Sequence, residues 1–286
     1  MHRSARPSIW RSIRVAVVIF LRPYGLTWLL DRTAITYWRL KSWTRPRQIA
    51  NRDHCVLVIC AHYNHSNWLP GCVESVRNQT HRNWRMVIVD DASTEPIQHS
   101  LEACAQSDDR IEVLQLNKNG GAYVARNAAI AHFQGEWSHV TFIDPDDVAQ
   151  PNWLEHALAS LGDQTGWVRP LLREMDPDLK EKKRLYFGHC PTLWSKGVWL
   201  ELGGFQTVRI AGDTELLMRA RKLKAFSPFK EARATQLGQQ CRVHHQNASR
   251  LKPIERKNWL LDRAEEISKA QSPLELHVDP SQGSSA

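Results

Sequence analysis

Between residues 55 and 143, four short strand-like runs, three apolar and the third of alternating character, take turns with helical segments, about one repeat every 30 residues. The runs are 55–61, 86–89, 111–116 and 140–143. The first, Cys-Val-Leu-Val-Ile-Cys-Ala, has no polar face, so it reads as a strand covered on both sides. Three helical segments separate the runs. One carries Leu69, Val73 and Val76 on one face, with Asn67 as its expected cap and Pro70 in its first turn. The second covers 97–105, and the alanine-rich third covers 122–133. This alternation predicts an α/β fold with a mostly parallel sheet flanked by helices. Ligands of such sheets bind at the carboxyl ends of the strands.

Each of those strand ends carries a polar cluster: Tyr63-Asn64, Asp90-Asp91, Lys118-Asn119 and Asp144-Pro145-Asp146-Asp147. The last places three carboxylates within four positions. Carboxylates this close repel one another, and a cation between them relieves the repulsion. Hard oxygen ligands of this kind suit Mg²⁺ or Mn²⁺, which also bind substrate phosphates. The competing reading is a polar turn that caps a helix starting near Pro151.

The net charge of +8 is unevenly placed. Residues 1–52 hold 11 Lys/Arg and one acid, whereas residues 53–286 carry 27 basic and 29 acidic side chains. The body is therefore near neutral, which argues against a nucleic-acid partner. In the arm, Ile9, Ile13, Val17 and Phe20 fall at helical spacing among arginines and four tryptophans. Its apolar run is too short to span a bilayer, which needs about 20 residues. The arm is expected to lie on an anionic membrane surface; the alternative is an extension packed on the body. No cysteine pair has C-x-x-C spacing, which argues against zinc and suits a reducing cytoplasm. No G-x-G-x-x-G follows the first strand and no G-x-x-x-x-G-K-[ST] occurs, so dinucleotide and P-loop chemistry are not expected.

An ordered series of motifs runs along the body. Val58-Ile59-Cys60-Ala61-His62-Tyr63-Asn64 is followed by Val76-Arg77-Asn78-Gln79-Thr80 and Val89-Asp90-Asp91-Ala92-Ser93-Thr94. Then come Asn119-Gly120-Gly121-Ala122-Tyr123-Val124-Ala125-Arg126-Asn127, Gly135-Glu136 and Phe142-Ile143-Asp144-Pro145-Asp146-Asp147. Leu202-Gly203-Gly204-Phe205 and Ala211-Gly212-Asp213-Thr214-Glu215 close the series. Over roughly residues 54–222 this order resembles family 2 glycosyltransferases of the GT-A fold. Ala61 departs from the proline or threonine common there, and Gly212 from an acid found in many members.

The resemblance implies an inverting transfer from a nucleotide-diphosphate sugar, a UDP-sugar being favoured, to a glycan or lipid-linked acceptor in bacterial surface polysaccharide synthesis. It implies a Rossmann-like GT-A domain over 53–248, after the arm 1–52 and before a C-terminal helix and flexible tail over 249–286. Tyr63 would border the donor base with Asn64 beside it, and Asp91 would accept a hydrogen bond from the base. Arg126 would reach a phosphate or hold the acidic cluster. Asp144 and Asp146 would contact ribose and metal, Asp146 and Asp147 being the ligands of Mn²⁺ or Mg²⁺. Asp213 would be the general base, with Glu215 as fallback, although an acid at 213 also suits a helix cap. One of His244 and His245 could contact diphosphate or metal, the favoured alternative for each being a packed or solvated histidine. The expected location is cytoplasmic, at the inner face of the plasma membrane. Two rivals remain: a sugar-nucleotide nucleotidyltransferase, which should show a glycine-rich basic loop where residues 62–67 stand, and an inactive GT-A binding or scaffold subunit.

Overall fold

A computed structural model describes residues 53–244 and 253–279, together with Thr36. The membrane-arm expectation, His245 and the last seven residues lie outside these. Strands β1 (Val56–His62), β2 (Trp84–Asp90), β3 (Ile111–Gln115) and β4 (His139–Phe142) pair in parallel in the order β3-β2-β1-β4. Strand β1 sits in the middle, and its residues 56–60 are fully buried. Period-two alternation sends Val56, Val58 and Cys60 to one core and Leu57 and Ile59 to the other. Helices α1 (Leu69–Arg77), α2 (Gln98–Gln106) and α4 (Trp153–Leu161) fill the first core. Helices α3 (Ala122–His132), α5 (Lys196–Leu202), α6 (Gly212–Leu223) and α7 (Pro253–Lys269) fill the second.

Beyond β4 the sheet becomes mixed. Strand β8 (Leu193–Ser195) runs antiparallel to β4, and β6 (Gly166–Met175) antiparallel to β8. Strand β9 (Lys230–Arg242) lies parallel to β6 and carries the short β5 (Val148–Ala149) on its other side. Strand β7 (Lys182–Phe187) pairs with β6. The course of β9 brings its last residues over the acidic segment that follows β4: Gln239 Nε2 donates to the Phe142 carbonyl at 3.2 Å.

Three local expectations are corrected. Asn67 does not cap α1; Trp68 occupies the cap position, and no side chain bonds there, while Pro70 sits in the first turn as expected. The acidic cluster does not cap α4, which begins at Trp153 after Asn152. Buried Gln79 serves that helix instead. Its Oε1 accepts the Leu154 N–H at 3.1 Å, and its Nε2 donates to the carbonyls of Gln150 and Ser75. Finally, residues 272–279 are not a frayed tail. Leu276 is buried, and the Val278 N–H donates to the Leu202 carbonyl at 2.9 Å. Gly203, at φ 73°, lies so close to that segment that a side chain would meet the Val278 carbonyl oxygen.

Candidate active site

At the carboxyl edge of the parallel strands, the chain first builds a rigid frame. His62 ends β1 fully buried. Its Nε2 accepts the His65 N–H at 3.2 Å, which leaves Nδ1 to carry the proton and face Asp90 at 3.3 Å. Asn64 adopts a left-handed φ of 55°, a conformation asparagine tolerates better than most residues. Its side-chain carbonyl accepts the Thr94 and Glu95 N–H groups at 2.9 and 3.3 Å, tying the loops after β1 and β2 together. Asp91 is buried, and its two carboxylate oxygens accept the N–H groups of Gly120 and Gly121 at 2.8 and 2.7 Å. Gly121, at φ 89°, is the residue from which α3 starts. Asp91 therefore fixes where α3 begins, and with it the placement of Tyr123 and Arg126.

A cleft of about 860 Å³ opens over this frame. Tyr63, Arg126, Asp144, Asp146, Asp147 and Asp213 line it together; Asn64 and Asp91 stand in the adjoining loops. Arg126 is almost fully buried and donates from Nη2 to Asp144 Oδ1 at 2.5 Å, while its Nε is buried with no hydrogen-bond partner. Arg126 thus holds the acidic cluster through Asp144. Burial opposes its charge, but Cys190 and Asp144 outweigh that effect and hold its pKa above the ordinary arginine value.

The carboxylates stand in a shared field. Burial is the largest influence on Asp147 and raises it well above the usual carboxylate range; desolvation also raises Asp144, less so, its side chain being 43% exposed. For Asp144, Arg126 pulls the other way; for Asp147, the charges of Asp146 and Asp144 push further up. Asp147 Oδ1 accepts the Arg242 N–H at 3.1 Å, and Asp146 Oδ2 meets His244 Nε2 at 2.8 Å. The His244 ring packs against Trp68 at 4.6 Å and His65 at 5.8 Å. Among the described residues no three His, Cys, Asp or Glu side chains converge as a complete cage. Asp146 and Asp147, neighbouring oxygen donors in the cleft, would suit Mg²⁺ or Mn²⁺ whose remaining ligands are diphosphate oxygens and water.

Asp213 comes from the first turn of α6. The cap position there is Ala211, in a left-handed conformation at φ 59°, and Asp213 makes no capping bond. Its Oδ1 instead accepts the Tyr123 hydroxyl at 3.0 Å. The capping explanation for this acid is therefore withdrawn. So is Glu215 as fallback base: it is fully buried, both its oxygens accept Arg219 Nε, and Arg263 adds a bond at 3.0 Å.

Several lining residues were not foreseen from the sequence. Tyr123 lies one helical turn before Arg126 within the same motif, so its i, i+3 spacing was a usable signal. His189, bonded through Nδ1 to Thr214 Oγ1 at 2.9 Å, has its pKa pushed down to about 4, by burial and then by Arg169. Arg184, Tyr186 and Phe187 of β7 form a further wall, from a stretch without a recognisable motif.

Residues 57–227 match the model of Glycosyl transferase family 2, and the chain belongs to that family. TuaG of Bacillus subtilis, named for teichuronic acid biosynthesis, is 41% identical over 110 residues, covering 38% of this chain and 43% of TuaG. The glycosyltransferase GlyG of Streptococcus pneumoniae is 34% identical over 100 residues, covering 35% and 33% of the two chains. The matched part is thus less than half the length of these relatives. Among solved structures, the mannosyltransferase PcManGT of Pyrobaculum calidifontis, bound to GDP-Man and Mn²⁺, superposes with a TM-score of 0.60 at 16% identity, over 94% of this chain and 79% of its own. S. aureus TarS bound to UDP-GlcNAc gives 0.62 at 17% identity, over 76% and 67%. These likenesses establish the GT-A fold.

Proposed function

We propose that the protein is an inverting glycosyltransferase that moves a sugar from a nucleotide-diphosphate donor, a UDP-sugar by preference, to a glycan or lipid-linked acceptor of the bacterial surface. The observation that carries this reading is one cleft holding both the Asp144–Asp147 carboxylates and Asp213. Tyr63, 40% exposed at the rim, would stack on the donor base. Arg126 would turn its unpartnered Nε toward a diphosphate oxygen. Asp146 and Asp147 would hold Mg²⁺ or Mn²⁺, which when bound neutralises charge growing on the departing diphosphate. Asp213 would take the proton of the acceptor hydroxyl as its oxygen attacks the anomeric carbon from the face opposite the diphosphate. The teichuronic acid biosynthesis in TuaG's name, and the UDP-GlcNAc and GDP-Man bound in the solved complexes, support a nucleotide sugar and a surface polymer.

No helix among the described residues is long and apolar enough to cross a membrane. Attachment to the inner face of the plasma membrane would therefore fall to residues 1–52, and flotation of the full chain with anionic vesicles tests that step. The activity itself is tested by incubating the protein with Mn²⁺ and UDP- or GDP-linked sugars and following release of the nucleoside diphosphate. Release from at least one donor, abolished by EDTA, is expected. A protein that releases diphosphate from none of them and binds none is the inactive scaffold instead.

A further inference from the structure

We infer that Tyr123 is a positioning residue for Asp213, and that Gly212 is glycine to make room for it; this rests on the reading of Asp213 as the general base. Tyr123 stands on α3 and Asp213 on α6, so the 3.0 Å bond between them joins two helices that the chain separates by 90 residues. The ring is fixed before it reaches Asp213. It packs on Phe205 at 5.1 Å and lies under the Arg126 guanidinium at 5.4 Å. A Cβ on Gly212 would stand 2.9 Å from two carbons of that ring, closer than side chains pack. The contact lies at the base of the ring, so the ring could not yield by a small terminal rotation. Gly212 thus lets the phenol lie flat against the first turn of α6, with its hydroxyl at the carboxylate one residue on.

The bond matters because Asp213 makes no capping bond to its own helix. A carboxylate two bonds from its backbone can rotate, and a general base must hold one oxygen toward the acceptor. The Tyr123 hydroxyl engages Oδ1 and leaves Oδ2 for the incoming proton. On the far side, His189 bonds Thr214 at 2.9 Å and steadies the same turn.

Tyr123→Phe keeps the ring and removes only the hydroxyl. UDP release from UDP-N-acetylglucosamine, UDP-glucose and UDP-galactose with Mn²⁺, water standing in for the acceptor, is the assay. The expected result is a fall in kcat of about 10-fold with donor KM within twofold of wild type. In an Asp213→Asn background the same change should have no further effect, since it acts through the lost carboxylate. Gly212→Ala, a change that favours a helix, should lower kcat in the same way by displacing the ring. A wild-type kcat in Tyr123→Phe, or a loss that multiplies with that of Asp213→Asn, overturns the inference while leaving the base assignment standing. Wild-type turnover in Asp213→Asn alone, or a wild-type protein that releases no nucleoside diphosphate from these three or from GDP-linked sugars, refutes the reading beneath it.

Discussion

Asp213→Asn should lower turnover by about 10²–10⁴-fold, the usual contribution of a positioned general base, with donor affinity near wild type. Asparagine keeps the shape and can still accept the Tyr123 hydroxyl through its amide oxygen, so the link between α3 and α6 survives. Donor contacts would come from Tyr63, Arg126 and the acidic segment, none of which this change touches. Because Asp213 makes no capping bond, even Asp213→Ala should cost little stability: the bond to Tyr123 and about 0.3–1 kcal/mol of helix-dipole interaction. Rates of UDP release, donor titrations and melts on both variants check this. Wild-type turnover in Asp213→Asn would move the base elsewhere, and buried Glu215 could not replace it.

The largest loss of stability is expected from Arg219→Ala. Arg219 is 1% exposed and satisfies four groups at once: the Glu215 carboxylate and the carbonyls of Leu202, Gly204 and Leu276. Removing it leaves a carboxylate at 0% exposure with only Arg263 beside it, and three carbonyls without this donor. Breaking a buried pair in this way costs about 3–5 kcal/mol. At about 2–4 °C per kcal/mol for a chain of this size, Tm should drop by more than about 6 °C. Glu215→Leu combined with Arg219→Met should lose less, since an apolar pair of similar volume removes the stranded charge, although the three carbonyls still lose the Arg219 donor. Circular dichroism melts of both variants decide; an unchanged Tm in Arg219→Ala would mean that solvent reaches this network.

The two halves of the fold differ in how readable they were. Strands β1, β2 and β4 announce themselves because they are buried almost throughout and are mostly apolar, as 55–61 is, while edge strand β3 shows instead an alternation that exposes Glu112 and Gln115. Strands β6, β7 and β9 do not. Pro170 interrupts β6, β7 opens with exposed Lys182 and Lys183, and β9 carries a half-polar run through Gln239 and Gln240. Such strands owe their place to pairing between distant residues, for which one sequence offers no local signal. The site divides along the same line. The acidic cluster, Arg126 and Asp213 could be named from residue type and position, since chemistry restricts them. Asn64 and Asp91 occupy motif positions just as prominent, yet their side chains bond neighbouring loops, and only the chain path reveals that. Glu215 stood as the fallback base from its place in the Asp213 motif; its ion pairs with Arg219 and Arg263, and the contact of Arg219 with Leu276 in a stretch that looked like a tail, are visible only in the fold.

The central claim, that this cleft holds a nucleotide sugar through a cation on Asp146 and Asp147, is tested most directly by calorimetric titration of UDP-sugars into the protein with Mn²⁺ and again with EDTA. The account predicts saturable binding in Mn²⁺ that is lost in EDTA and lost in Asp147→Asn, whose apo melting temperature should stay at or above wild type, because burial already disfavours the charged carboxylate there. Donor binding of equal strength with EDTA, or in Asp147→Asn, would contradict it.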